Sequence, residues 1–144
     1  MIHWGVEYQT TQNSYQEELA DLLIANGADL VLGGHSHVPQ PIEQRTVTGW
    51  DGTERTGFVC YSLGNFISNQ YDPFPAVQTT AVLDLELTKD PESGETAVTG
   101  VSYEPISCFT GTGPGGGEAV SAEHPRRHGG IRGGGEHAGG QVRL

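Results

Sequence analysis

Basic side chains are scarce in this sequence. Its 144 residues include 7 Lys and Arg against 18 Asp and Glu, which gives a formal net charge of −11 at pH 7. Residues 1–110 hold 15 acidic and 3 basic side chains, whereas residues 111–144 hold 3 and 4. Because so acidic a surface repels phosphate backbones, the composition argues against nucleic acid as a partner.

Long apolar runs and cysteines are also lacking. No stretch approaches the roughly 18–20 apolar residues of a membrane-spanning helix, and no basic segment precedes an apolar core as in a signal peptide. The two cysteines, Cys60 and Cys108, form no short metal-binding motif. Cys60 lies in an apolar run, which favours a buried free thiol; a disulfide with Cys108 is the alternative if the protein is exported.

The first third of the chain predicts a helix followed by a buried strand. Ser14 and Glu17 have the spacing of a capping box, and Gly27 suits the position just after the helix end. The strand is predicted at residues 30–32, so the pair predicts an α/β layer. Four residues at helical spacing are expected to form the apolar face: Tyr15, Leu19, Leu22 and Leu23.

Residues 42–106 have the period of strands and predict a mainly antiparallel sheet. Asp51 and Gly52 are a strong hairpin signal between two such segments. Further on, apolar and acidic residues alternate strictly, which predicts one face with Ala81, Leu83, Leu85 and Leu87 and another with Asp84 and Glu86. The chain therefore predicts an α/β unit followed by a sheet, half of a layered sandwich rather than a closed domain.

The tail at residues 111–144 has a different composition. It holds 12 glycines and almost no large apolar side chains, so we expect it to be disordered. Its three histidines, His124, His128 and His137, are expected to be solvated, with weak adventitious metal binding as the alternative. The abrupt change suggests a segment that is frame-shifted or foreign to the domain.

Three histidines are the candidate ligands. His35 and His37 lie in the loop that leaves a predicted strand, where α/β proteins place ligand sites, and neutral imidazole is the commonest protein metal ligand. His3 ends another apolar segment. Each could also be a turn or structural histidine without a ligand role.

The order of motifs resembles one family. His-Trp-Gly-x-Glu-Tyr, a helix, Gly-Ala-Asp-Leu-Val, Gly-His-x-His-x-x-Gln-Pro and Tyr-Ser-Leu-Gly-Asn-Phe resemble the CapA family of bacterial capsule and poly-γ-glutamate synthesis proteins, in the calcineurin-like metallophosphoesterase superfamily. The resemblance is close from residue 2 to about 87 and fades through 106. It implies a partial four-layer α/β-β/α sandwich, with residues 1–110 as the carboxyl-terminal part of that domain.

The resemblance also implies a site. The family site would hold two divalent metals (Mn, Fe or Zn), with His3 and His35 on one metal and His37 on the other. Glu7 would contact substrate or a histidine near the site, with a solvated loop acid as the alternative. Asn65 would bind substrate, with stabilisation of a turn through its side-chain amide as the alternative. The superfamily's Asp-x-His, Gly-Asp-x-x-Asp and Gly-Asn-His motifs are not found in this sequence, so we expect an incomplete shell that holds at most one metal weakly.

Three functions remain open at this stage. The chain is a fragment of a CapA-like protein with a metal-dependent phosphoesterase-type site, a non-catalytic binding module, or an inert truncation product whose exposed half-core aggregates. Expected partners are the amino-terminal half of the domain, if separately encoded, and the capsule or poly-γ-glutamate machinery. Family members are usually extracellular or membrane-anchored.

Overall fold

The computed structural model describes residues 1–70, 75–112, 116, 118–123 and 140–142. One α-helix and eight strands lie within these residues, together with a 3-10 turn at Pro75–Gln78. In chain order they are β1 (Ile2–His3), α1 (Ser14–Ala25), β2 (Leu30–Gly34), β3 (Ile42–Thr48), β4 (Glu54–Cys60), β5 (Thr79–Lys89), β6 (Thr96–Thr112), β7 (Glu118–Glu123) and β8 (Gly140–Val142).

The strands form two sheets. The first has the order β1-β2-β4-β3, in which β1, β2 and β4 run parallel and β3 pairs antiparallel with β4. The second is antiparallel, with β6 between β5 and β7 and also paired with β8. The predicted α/β class and the hairpin at Asp51 and Gly52 are thus confirmed. Local alternation alone did not reveal that β4 also pairs in parallel with β2.

Strand β4 is covered on both faces, which organises the layers. Side chains alternate across a strand, so Val59 packs with Trp4 and Ile24 beneath the helix, whereas Phe58 packs towards the second sheet with Val101. A strand that is buried on both faces has apolar residues at consecutive positions in its sequence. The described residues therefore stack as helix, mixed sheet and antiparallel sheet.

The helix cap lies one residue earlier than predicted. Asn13, not Ser14, is the N-cap, and its side chain accepts a hydrogen bond from the Gln16 backbone while the Gln16 side chain accepts one from the Asn13 backbone. An amide pair makes the same reciprocal bonds as the predicted Ser14 and Glu17. Gly27 follows the helix with φ +96°, as expected.

The buried face of α1 also differs from the prediction. Gln16, Ala20 and Ile24 face the sheet, whereas Tyr15 and Leu22 are 62% and 47% exposed. The small Ala20 allows close approach, and the buried Gln16 side chain donates to the Gln40 side chain. The predicted apolar face was therefore wrong because its members flank the true contact line, with Leu19 and Leu23 only partly buried.

The alternation in β5 is confirmed over part of its length. Leu83 and Leu85 pack against the core between the sheets, while Asp84 and Glu86 are exposed. A β-bulge between Glu86 and Leu87 shifts the register, and Leu87 is 61% exposed. The extra residue is Thr99 on β6, so β5 itself keeps its alternation. Leu87 is exposed together with the residues that follow it in β5, and the buried part of the predicted face ends at Leu85.

Residues 111–144 are described only in part. Residues 111–112 continue β6, and β7 and β8 pair with it, so these short segments are strands where composition predicted disorder. The histidines at 124, 128 and 137 lie outside the described residues, and the division of the chain at residue 110 stays a prediction. No helix in the described part of the chain is long and apolar enough to cross a membrane.

We expect the substitution Gly33→Ala to destabilise the fold. A Cβ at Gly33 would collide with the Tyr61 carbonyl oxygen and the Trp4 indole nitrogen, which are hydrogen-bonded to each other. Overpacking of this kind costs about 3 kcal/mol, measurable as a loss in the free energy of unfolding in urea. Gly34→Ala is the matched control, because nothing lies within 4 Å of a Cβ there; equal losses in both variants would contradict the argument.

Both cysteines should be unreactive in the folded protein. Cys60 and Cys108 are free and buried, and burial raises the pKa of the Cys60 thiol to about 12, so its reactive thiolate is rare at neutral pH. Iodoacetamide should label neither thiol natively and both in denaturant, as counted by mass spectrometry. A denatured chain without free thiols would instead reveal a disulfide.

Candidate functional site

The candidate site lies at one edge of the mixed sheet. Strands β1 and β2 run parallel, with His3 paired to Gly34, so their carboxyl ends meet at the same edge. His35, Ser36 and His37 come directly after β2, which places them beside His3. This is where open α/β sheets bind ligands.

The structure brings the three predicted histidines together. The rings of His3 and His35 are 4.3 Å apart between centroids, and the His35 and His37 rings are 6.4 Å apart. His3 is exposed and the other two are half-buried. Two neighbouring imidazoles that reach solvent, such as those of His3 and His35, can bind one metal ion together. The His37 ring lies farther away.

Asn65 holds the His37 ring. Its Oδ1 lies 3.1 Å from His37 Nδ1, while its Nδ2 donates to the Val77 carbonyl at 3.2 Å and to the Gln70 side chain at 2.8 Å. Because a carbonyl can only accept, the Asn65 amide has one orientation, and His37 Nδ1 must donate to it. Asn65 therefore positions His37; its predicted contact with substrate stays a prediction.

Glu7 approaches the other nitrogen of His37. Glu7 Oε1 lies 3.4 Å from His37 Nε2, with the two side chains 51% and 30% exposed. Tyr8 stacks on the His37 ring, with centroids 5.8 Å apart and an angle of 26° between planes. Spacing along the chain does not indicate this contact between residues 8 and 37.

Backbone strain is concentrated at this site. Three non-glycine residues among those described have positive φ: Tyr8 at +65°, His35 at +108° and His37 at +62°. Such conformations cost about 1–3 kcal/mol each and persist only where the surroundings impose them. Ser36 contributes: it is buried, its hydroxyl donates to the Val38 carbonyl, and its own carbonyl accepts from the Tyr8 amide.

Buried amides clamp the loop after β1. Gln40 is buried, and its Nε2 donates to the carbonyls of Gln9 and Thr11 at 2.9 and 3.1 Å. Its Oε1 accepts from Gln16 on α1. Sequence reasoning gave Gln16 and Gln40 no part in supporting the site. The signal for Gln16 was a polar residue on a helix face, and Gln40 was visible only as the glutamine of the Gly-His-x-His-x-x-Gln-Pro motif.

The donors form pairs rather than a closed shell. Among the residues that the structure describes, no group of three or more His, Cys, Asp or Glu side chains is arranged to hold a metal ion. His3 with His35 forms one pair of donors, and His37 with Glu7 forms the other. These residues therefore fit part of a metal shell, and a metal at either pair would need further ligands.

Comparison with known proteins defines the class. Residues 1–70 match the family described as "Bacterial capsule synthesis protein PGA_cap", and these residues contain β1, α1 and the whole mixed sheet. This segment, just under half of the chain, supports membership in the CapA family of capsule synthesis proteins. The match ends earlier than the resemblance to residue 87 that the motifs suggested.

Two curated proteins named CapA are also similar to this chain. The chain is 41% identical over 68 residues to the "PGA biosynthesis protein CapA" of Bacillus subtilis (strain 168), and 37% identical over 68 residues to the "Capsule biosynthesis protein CapA" of Bacillus anthracis. Each alignment covers 47% of this chain but only 16% and 14% of the respective relative. No solved structure matches the chain significantly.

Removing the Asn65 side chain should release His37. Asn65→Ala deletes the acceptor of His37 Nδ1, a hydrogen bond worth about 1 kcal/mol, so the ring should populate both neutral tautomers. Long-range proton–nitrogen NMR spectra of the imidazoles measure this ratio. The control is Asn69→Ala at an exposed position of the same loop; a His37 spectrum unchanged in Asn65→Ala would contradict the assignment.

Proposed function

We propose that this chain is part of a CapA-type protein that acts in capsule or poly-γ-glutamate biosynthesis through a metal-dependent phosphoesterase-type site. The pair of neighbouring imidazoles at His3 and His35, at the carboxyl edge of parallel strands, carries the proposal. Family membership supports the biological role.

The layer order supports the superfamily. Helix, mixed sheet and antiparallel sheet correspond to one half and part of the second half of an α/β-β/α sandwich. In that arrangement a site lies at the edge where the two sheets meet, and Asn65 fits this, because it joins the His37 loop to the Val77 carbonyl just before β5. The complete sandwich is part of the proposal.

The donor types support a divalent metal. His3 and His35 would hold one ion and His37 would serve the other, with the remaining ligands supplied from outside the described residues. Imidazole with carboxylate suits Mn, Fe or Zn. When bound, such ions supply Lewis-acid stabilisation of the charge on a phosphoester, and they would also allow so acidic a protein to bind an anionic substrate.

Within the chain, the fold prepares the ligands before any metal binds. Asn65 directs the His37 Nδ1 proton away from the site and leaves Nε2 available, as positioned metal-binding histidines generally require. The Tyr8–Ser36 backbone hydrogen bond and the buried Ser36 hydroxyl hold His35 and His37 in their left-handed conformations. The loop with His35 and His37 is therefore ordered before a metal binds.

A non-catalytic binding role is the second candidate. It is favoured by the lack of a three-donor group in the described part of the chain. Hydrolysis of a chromogenic phosphodiester in the presence of Mn²⁺ separates the candidates, provided that the chain is tested alone and together with the amino-terminal part of a CapA relative. Turnover that appears only in the mixture and disappears with His35→Ala supports the enzyme.

Replacing either member of the imidazole pair should weaken metal binding. We expect His3→Ala and His35→Ala each to lower the affinity for Zn²⁺ and Mn²⁺ by about tenfold or more, because each removes a direct ligand. Isothermal titration calorimetry measures the change.

The tail provides the matched control for this test. A variant with His124, His128 and His137 all replaced by Ala keeps the proposed site intact and removes the other histidines of the chain. It should bind metal as the unmodified chain does. If instead this variant loses binding while His3→Ala and His35→Ala retain it, the proposed site is wrong.

A further inference from the structure

We propose that Glu7 is a direct ligand of the divalent metal that His37 binds, so that the two side chains form one half-site. The inference rests on the proposed function and extends it, since the family resemblance implied for Glu7 a contact with substrate or with a histidine and not a bond to the metal. It assigns to this site a carboxylate from the loop after β1, on the opposite side of the His37 ring from Asn65.

The first observation is a conflict between two acceptors. Asn65 obliges His37 Nδ1 to donate its proton, so the neutral ring presents a lone pair at Nε2. Glu7 Oε1, a carboxylate oxygen that also only accepts, lies 3.4 Å from that nitrogen. Two acceptors this close are unfavourable unless a proton or a metal ion lies between them.

The second observation is the distance. A proton between the two groups would give a charge-assisted hydrogen bond of about 2.7–2.9 Å, whereas His37 Nε2 and Glu7 Oε1 are 3.4 Å apart. Two ligands that each lie about 2.1 Å from one metal at a tetrahedral angle are separated by about 3.4 Å. The spacing is thus longer than a direct charge-assisted hydrogen bond and matches that of two ligands of one ion.

The third observation is that the fold brings Glu7 to this place independently of its attraction to His37. The Tyr8 amide donates to the Ser36 carbonyl at 2.8 Å, and Tyr8 adopts φ +65°. Gly5 turns the chain with φ +87° against the Gln16 side chain. Because the backbone on both sides of Glu7 is held, only its side chain remains to be ordered when the carboxylate approaches His37.

The test titrates the 144-residue chain with Zn²⁺ and observes the imidazole nitrogens by long-range proton–nitrogen NMR, which reports each histidine separately. Glu7→Gln keeps the shape of the side chain and removes its charge. Glu7→Asp keeps the charge and shortens the reach. Glu92→Gln, at an exposed turn position, is the control for net charge.

We expect Glu7→Gln to weaken Zn²⁺ binding at His37 Nε2 by about tenfold or more and to leave the response of His3 and His35 unchanged. Glu7→Asp should also weaken it, because a ligand acts through contact rather than through charge at a distance, and Glu92→Gln should have no effect.

Other outcomes separate this inference from the proposed function. If Zn²⁺ shifts His37 equally in the unmodified chain and in both Glu7 variants, Glu7 is not a ligand, while the imidazole site stands. If Zn²⁺ shifts His3 and His35 but never His37, the half-site is likewise overturned. If no shift occurs at any of the three histidines, the proposed function and this inference both fail.

Discussion

The hydrogen bond from the Trp4 indole to the Tyr61 carbonyl passes directly over Gly33, and the site depends on that crossing. It joins the segment after β1 to the end of β4 across the intervening strand β2, at 2.8 Å in a buried setting. Only a residue without Cβ permits so close an approach. With β1, β2 and β4 held together at their carboxyl ends, His3 and the His35–His37 loop have a rigid edge from which to project.

The histidine loop stores strain that this frame supports. Positive φ at His35 and His37, and at Tyr8 opposite, would relax in a free peptide. Here the buried Ser36 and Gln40 fix both loops from beneath through backbone carbonyls. Strain of this kind at a candidate site indicates preorganisation: the conformation that presents the imidazoles is set by packing and does not need a ligand to induce it.

Paired donors, rather than a closed shell, define the chemistry of this chain. The His3 and His35 rings are neighbours, and Nε2 of His37 lies beside the Glu7 carboxylate. Under the proposed function, each pair would supply part of a metal shell and leave coordination positions open. The alignments cover only 14–16% of the two CapA relatives, which are therefore several times longer than this chain. Under the proposed function, the missing ligands would come from segments of such a longer protein.

Local pattern was sufficient for much of this protein. The helix and its end at Gly27, the hairpin at Asp51, the alternation through Leu85 and the three histidines could all be predicted, because turn chemistry and periodicity act over a few residues. It was insufficient for the helix face, since Gln16 is buried with a hydrogen bond to Gln40, and for Leu87, which lies in the exposed end of β5.

The partners of His37 show the same division. The sequence by itself determined that imidazoles would come after a buried strand. Only the tertiary structure decided that Asn65 would fix one nitrogen and Glu7 approach the other. These contacts join residues that are 28 and 30 positions apart in the chain. Their meeting depends on the parallel pairing of the strands and on packing between layers, and neither leaves a periodic trace in the sequence.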